Sequence, residues 1–461
     1  MAALPSEAGP VRLLIALSSA ALPEWLETQP SALRDWVAAS GFSAKPHTFC
    51  LLPEAGGGPR RLLYGVPPEG GLWALADAPR LLPEGRYRVE PWGVELAPET
   101  VALGWALGSY RFDAYKAAER LPAQLTEDGA GRLTSVETLA EAIGLTRDLI
   151  NTPANAMMPH DLAAAAERMV ERFGGRVRQV VGDALLADYP CLHAVGRASV
   201  QPPRLIDLCW GDETAPRVTL VGKGVCFDSG GLDIKPSKGM RQMKKDMGGA
   251  AHVLGLAHLI MAERLPVRLR VLIGAAENAI AGNAFRPGDV LRARNGLTIE
   301  VDNTDAEGRL AICDALSEAS AERPELLIDF ATLTGAARVA VGTEIAAYFS
   351  NDDALARELE MHAAHSDDPV WRLPLHAAYR HELESPIADL LNCGTSGYAG
   401  ATTAALFLQS FIDQSVPWLH FDVMAWNLRQ RPGRPVGGEA MGLRAVWALL
   451  QARFVSSQTE C

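Results

Sequence analysis

RVTLVGKGV (residues 217–225), GGAAHVLGLAHLIMAE (248–263) and VRLRVLIGAAE (267–277) follow one another along the chain, and their reading decides the fold. The first and third are short apolar runs of strand length; the second is an apolar run of helix length. Strand, helix, strand in that order predicts neighbouring strands in one sheet with the helix packed over it. One residue disturbs the pattern. Lys223 sits inside the first strand, where a buried lysine needs a partner.

The alternation extends outward. HDLAAAAERMVERF, RLAICDALSEASAE and TTAALFLQSFI read as helices, and PRLIDLCW, ELLIDFATL and WLHFDVM as strands. The prediction is an α/β fold, a sheet covered by helices on both faces. Ligand sites in such sheets form at strand ends, where loops begin. Upstream, residues 1 to about 130 are rich in Pro and Gly, with short apolar runs such as RLLYGV and GVELA. They predict a small mixed α/β domain. EDGAGRL (127–133) is a polar break. TSVETLAEAIGLTRDLI then has helical spacing, with Thr134 or Ser135 as N-cap and Pro153 as its stop. The expected division is an accessory domain over 1–130, a joining helix over 131–155 and a catalytic domain over 156–461. VRLLIALSSAAL (11–22) resembles a signal h-region, but Glu7 upstream and Pro23-Glu24 downstream favour a core strand and its turn.

With 461 residues, the chain exceeds one ordinary core, so two domains are expected. Its 43 basic and 55 acidic residues leave a net charge of −12, which argues against a nucleic-acid footprint over the whole surface. Seven cysteines without a CxxC fit reduced thiols in a cytosol. No run approaches the ~20 apolar residues of a membrane helix.

Three clusters carry chemistry. VGKGVCFDSGGLDIKPSKGMRQMKKDMGG (221–249) supplies Lys223, Asp228, Lys235 and Asp246. VDNTDAEGRL (301–310) supplies Asp305, Glu307 and Arg309, and DFATLTGA (329–336) ends another strand. Four carboxylates in one pocket repel unless cations neutralise them. Two divalent ions would do so, and such ions can clamp both ends of a hydrolytic step. An oxygen-rich set accepts Mn and Mg as well as Zn. The histidines all lie outside the clusters. Each piece also has an ordinary reading: Asp302 as a turn acid, Asp305 as a cap, Glu307 as a first-turn acid, Arg309 as a surface ion-pair partner. Apart from Lys235, the basic run Lys238, Arg241, Lys244 and Lys245 reads as a solvated stretch. GKGVCFDSGG lacks the order of a phosphate-binding loop.

In motif order and local spacing, GKGVCFDSGG, Lys235-Pro236, MKKDMGGAA, NTDAEGRL and DFATLTGA resemble the leucine aminopeptidase (cytosol aminopeptidase) family, in a bacterial-type branch, over about residues 145 to 445. The N-terminal part is similar to that family's accessory domain in position and size. The resemblance implies a zinc-exopeptidase-type catalytic domain with a mostly parallel, helix-flanked sheet. It implies an enzyme that uses two divalent ions and bicarbonate to release Leu-like residues from peptides with a free N-terminus. Asp228 and Glu307 would bridge both ions, Asp305 would complete the first site, and Lys223 and Asp246 the second. Lys235 would polarise the scissile carbonyl, and Arg309 would hold the bicarbonate that serves as base. Met243, Thr332, Leu333 and Gly335 would line the substrate pocket. The resemblance further implies a cytoplasmic homohexamer. Some family members also act on DNA; the acidic balance here argues against that role. A paralogue with a dead site would lack ligands, and none is missing. After His420-Phe421-Asp422, Met424 and Asn427 stand where relatives carry a small residue and an apolar one, which predicts a narrower, more polar pocket.

Overall fold

A computed structural model describes residues 10–54, 57–126 and 134–455. The chain divides into two compact units. One comprises Met1–Gly144 with Arg429–Val436, the other Leu145–Leu428 with Gly437–Cys461. The sequence boundary at EDGAGRL lies outside the described residues. The helix after it runs over Thr134–Asn151. Thr134 and Ser135 therefore sit in its first turn rather than at its cap. It stops two residues before Pro153, which disfavours helical backbone in the residue preceding it.

The first unit holds a five-stranded mixed sheet in the order Phe49–Glu54, Gly57–Gly65, Val11–Leu17, Arg86–Trp92, Gln124–Leu125. Val11–Leu17 is its central strand, parallel to both neighbours. Its side chains alternate between two cores. Leu14 and Ala16 pack with Leu62, Tyr64 and Trp105, while Ile15 and Leu17 pack with Leu63, Trp25 and Val37. A strand covered on both faces is apolar throughout, which is why this segment looks like a signal h-region. The short apolar run GVELA is the connection between Arg86–Trp92 and the helix Pro98–Ser109. Within this unit the returning segment packs closely, with the Arg434 guanidinium 3.9 Å from the Trp73 ring centre.

The second unit is built on an eight-stranded sheet in the order Val370–Arg372, Ala346–Ser350, Trp418–Asp422, Leu326–Ala331, Arg217–Asp228, Arg268–Asn278, Arg204–Trp210, Arg176–Val181. The four central strands are mutually parallel. The strand pairs toward both edges include antiparallel ones. Val218 to Cys226 are buried without a break. One face carries the helix Gly248–Ala262, buried from Gly248 to Met261. This helix lies directly on strand backbone. A Cβ on Gly249 would meet the Phe330 carbonyl oxygen at 2.0 Å, so only glycine fits there. The helix Glu307–Ala321 belongs to a second core together with Leu192, Leu272 and Leu327. These layers aim the C-terminal ends of the central parallel strands at one place.

Candidate metal centre

Asp228 closes its strand. Its Oδ1 accepts from Asn278 Nδ2 and from the Gly230 N–H, both at 2.9 Å. Asp305 lies in the single turn Thr304–Ala306, and Glu307 opens the next helix with 1% of its surface exposed. Asp228, Asp305 and Glu307 each bring one carboxylate oxygen within 4.8 Å of the others. Asp246 comes from the turn Met243–Met247, and its Oδ1 accepts from Thr332 Oγ1 at 2.8 Å.

Two lysines thread this cluster. Lys223 Nζ lies 2.7 Å from Asp246 Oδ2 and 2.9 Å from Glu307 Oε1, and donates to the Thr332 carbonyl at 3.1 Å. Lys235 Nζ lies 2.6 Å from Asp228 Oδ2 and also contacts Asp305. Space for Lys223 depends on Gly308, where a Cβ would sit 2.5 Å from Nζ and 2.6 Å from Cε.

Burial and the charge of Asp228 push the Glu307 carboxyl up to about 8 and that of Asp305 up to about 6. For Lys223, burial disfavours the ammonium, but Asp246, Glu307 and Asp228 outweigh it and hold the amine above its usual range. Lys235 behaves likewise, with Asp228 the main attraction. The Asp246 carboxyl is depressed, because Lys223 and Lys245 outweigh its burial. Four carboxylates thus compete for the charge of Lys223, Lys235 and Lys245, the last pulled down by burial. The polar atoms show the same shortage. Among the described residues, Glu307 Oε2 is buried without a hydrogen-bond donor, and Glu307 Oε1 and Asp246 Oδ2 meet Lys223 at ion-pair distance without hydrogen-bond alignment. Hard oxygen atoms crowded together and short of positive charge fit divalent cations.

The remaining expected residues border this cluster. Arg309 is 5% exposed, and its Nη1 donates to the Asn392 carbonyl at 2.7 Å. Its Nε has no hydrogen-bond partner among the described residues. Thr332, Leu333 and Gly335 follow the Leu326–Ala331 strand, and Met243 is buried in the turn that carries Asp246. Asp302 is an exposed turn residue.

Four features were missed or misread from sequence. Asn392 is wholly buried and ties the acidic turn together. Its Oδ1 accepts from the Asp302 and Asn303 N–H groups at 2.7 and 3.2 Å, and its Nδ2 donates to the Asn303 carbonyl at 2.7 Å. Asp422 caps the loop Leu333–Thr334, with Oδ1 accepting from both backbone N–H groups at 2.9 and 3.0 Å. Lys245, taken as solvated, is 1% exposed; burial and the nearby Arg338 pull its amine down to about 7. Asn427, expected to make the pocket polar, donates its amide to the buried Glu439 instead. A polar residue closing an apolar strand was a usable signal for Asp422; Asn392 had none.

Comparison with known proteins agrees with this geometry. Residues 144–447 match the catalytic domain of the cytosol aminopeptidase family, and residues 10–127 match the M17 aminopeptidase N-terminal domain. A curated "probable cytosol aminopeptidase" of Roseiflexus castenholzii is 38% identical, over 92% of this chain and 93% of its own. The crystal structure of a cytosol aminopeptidase from Coxiella burnetii superposes with a TM-score of 0.94 at 48% identity, covering 97% of this chain and 98% of that one. A bottromycin maturation enzyme, BotP, solved in complex with Mn, gives a TM-score of 0.87 at 33% identity, over 96% of this chain and 99% of that one. A two-domain α/β chain with this acidic centre and these matches belongs to the M17 cytosol aminopeptidase family of metal-dependent exopeptidases.

Proposed function

We propose that the enzyme removes N-terminal residues from peptides with a free α-amine, using two divalent ions and a bicarbonate. Asp228, Asp305 and Glu307 would hold one ion, and Lys223, Asp246, Asp228 and Glu307 the other. The ions supply Lewis acidity and an activated water. Lys223 serves as a ligand only after losing its proton, which adjacent dications favour. Lys235 is then released from its carboxylates and donates to the oxygen of the scissile carbonyl as charge develops there. Arg309 is buried with an uncommitted Nε, and it would hold the bicarbonate, which supplies a general base. Asp246 faces the substrate amine and so restricts cleavage to the chain end. Met243, Thr332, Leu333 and Gly335 line the pocket for the first side chain, with Met243 favouring an apolar stem.

The observation that carries this reading is the shared shortage of positive charge around Glu307, with Asp228 and Asp305 oxygens within 4.8 Å. The relative solved with Mn supports Mn as an occupant, with Zn and Mg as the other choices. We extend the family likeness to a cytoplasmic homohexamer, with residues 1–130 as an accessory domain, 131–155 as a joining helix and 156–461 as the catalytic part. Among the described residues no helix is long and apolar enough to cross a membrane.

The test is hydrolysis of aminoacyl-p-nitroanilides by chelated enzyme, then after adding Mn or Zn, with N-acetylated substrates as control. Metal-restored turnover of free amines only is expected. Folded, metal-loaded protein without turnover would sink the reading, and light scattering would check the hexamer.

A further inference from the structure

The pocket assigned to the substrate's first side chain is bordered by two cations, Arg338 and Lys245, neither of which forms an ion pair among the described residues. Arg338 lies in the short helix Gly335–Val341, directly after the Thr332–Thr334 loop. Its Nη1 contacts Met424 Sδ at 3.4 Å, and its Nη2 lies 3.5 Å from where a Cβ on Gly335 would stand. Among the described residues it forms no ion pair. Lys245 is 1% exposed, two positions beyond Met243, and Arg338 is the cation that acts on it most strongly. Its ammonium likewise forms no ion pair there. The neighbouring acids are committed elsewhere. Asp246 holds Lys223 and Thr332, and Asp422 accepts from Leu333, from the Thr334 N–H and from Thr334 Oγ1. Arg338 is half-buried and without an ion-pair partner, so its guanidinium can take a ligand that brings a carboxylate.

Resting on the aminopeptidase reading above, we propose that Arg338, together with Lys245, selects peptides whose N-terminal residue carries a carboxylate on a short apolar stem. Glutamate fits best. Its methylenes lie against Met243 and Met424, and its carboxylate reaches the guanidinium, which can bind it in a bidentate fashion. Aspartate is shorter and ranks below it. An N-terminal lysine or arginine meets like charge and is rejected.

The experiment is kcat/KM of the full-length, Mn-loaded enzyme on Glu-, Asp-, Leu-, Met- and Lys-p-nitroanilide, for wild type, Arg338→Lys and Arg338→Met. Wild type is expected to favour Glu over Leu by about tenfold or more, because a site built for a polar group discriminates against analogues that lack it. Arg338→Met should lower the Glu:Leu ratio at least tenfold, chiefly through KM, and Arg338→Lys should keep most of it. A wild type that prefers Leu overturns the proposal while leaving the aminopeptidase reading intact. So does a Glu preference that Arg338→Met leaves unchanged. Absence of turnover on every free amine removes both. The wild-type ranking needs no variant to fold.

Discussion

Lys223 Nζ lies 2.9 Å from Glu307 Oε1, with both side chains at most 2% exposed. The lysine occupies the middle of an apolar strand because three carboxylates offset its burial. Replacing it with methionine keeps the stem and removes the charge. Asp246 and Glu307 then stay buried without their shared ion-pair partner, at a cost of about 3–5 kcal/mol in chelated protein. The urea midpoint of Lys223→Met should fall well below wild type in chelator and recover in part with Mn. An unchanged midpoint in chelator would show that the ammonium is not the counter-charge.

The raised acids give stability a definite pH trend. Folded Asp305 and Glu307 titrate near 6 and 8, above their ordinary values of 3.8 and 4.5. Their stabilising contribution is therefore full below about pH 4 and is lost as pH rises through about 6 and then about 8. Asp246, depressed, contributes in the opposite sense, but only at lower pH. Metal binding runs the other way, since ligands must lose protons first. Melting curves should show the chelated protein weakening from about pH 5 to about pH 9, with the stabilisation added by Mn growing over the same range. Calorimetry at neutral pH in two buffers should report proton release on Mn binding. Parallel curves would contradict the shared-charge picture.

Much of the fold and half of the centre were legible in the sequence for local reasons. The central strands are buried on both faces, so Arg217–Asp228, Arg268–Asn278 and Leu326–Ala331 appear as apolar runs. Arg176–Val181 escaped because, as an edge strand, it alternates Arg and Val and half of it faces water. Lys223 and Asp228 stood out as charges within and at the end of an apolar run. Their roles came from the likeness to a family rather than from spacing. Lys245 was misread because a dense basic run looks solvated, whereas the tight turn Met243–Met247 turns every residue but Lys244 inward. Asn392 had no local mark, because the backbone it holds lies 90 residues back along the chain.

Gly308 tests how finely the centre is built. A methyl at this position would stand 2.5 to 2.8 Å from Nζ, Cε and Cδ of Lys223. The lysine tip can shift, so Gly308→Ala should fold, with a melting temperature lowered by a few degrees at most. The displaced Nζ no longer meets both Asp246 and Glu307. A misplacement of about 1 Å costs on the order of a hundredfold in turnover, so kcat should fall far more than stability does. Equal loss of both, or of neither, would show that Lys223 has other room.

Asn392→Ala separates scaffold from chemistry at the acidic turn. The side chain touches no carboxylate of the cluster, yet it answers the N–H groups of Asp302 and Asn303 and the carbonyl of Asn303. Removing it takes a partner from these three part-buried groups and from the Ala306 carbonyl, at about 1–3 kcal/mol for each that water cannot reach. The turn that carries Asp305 and Glu307 should then loosen, while the Asn392 carbonyl that receives Arg309 remains. Mn affinity should fall by roughly 10–100-fold, the loss typical when groups supporting the ligands are removed. Saturating Mn should restore much of kcat, because no reacting group is absent. Calorimetric Mn affinity beside kcat at saturating metal checks this. An unaltered affinity with lost kcat would place Asn392 at the reacting atoms and not in the support of the turn.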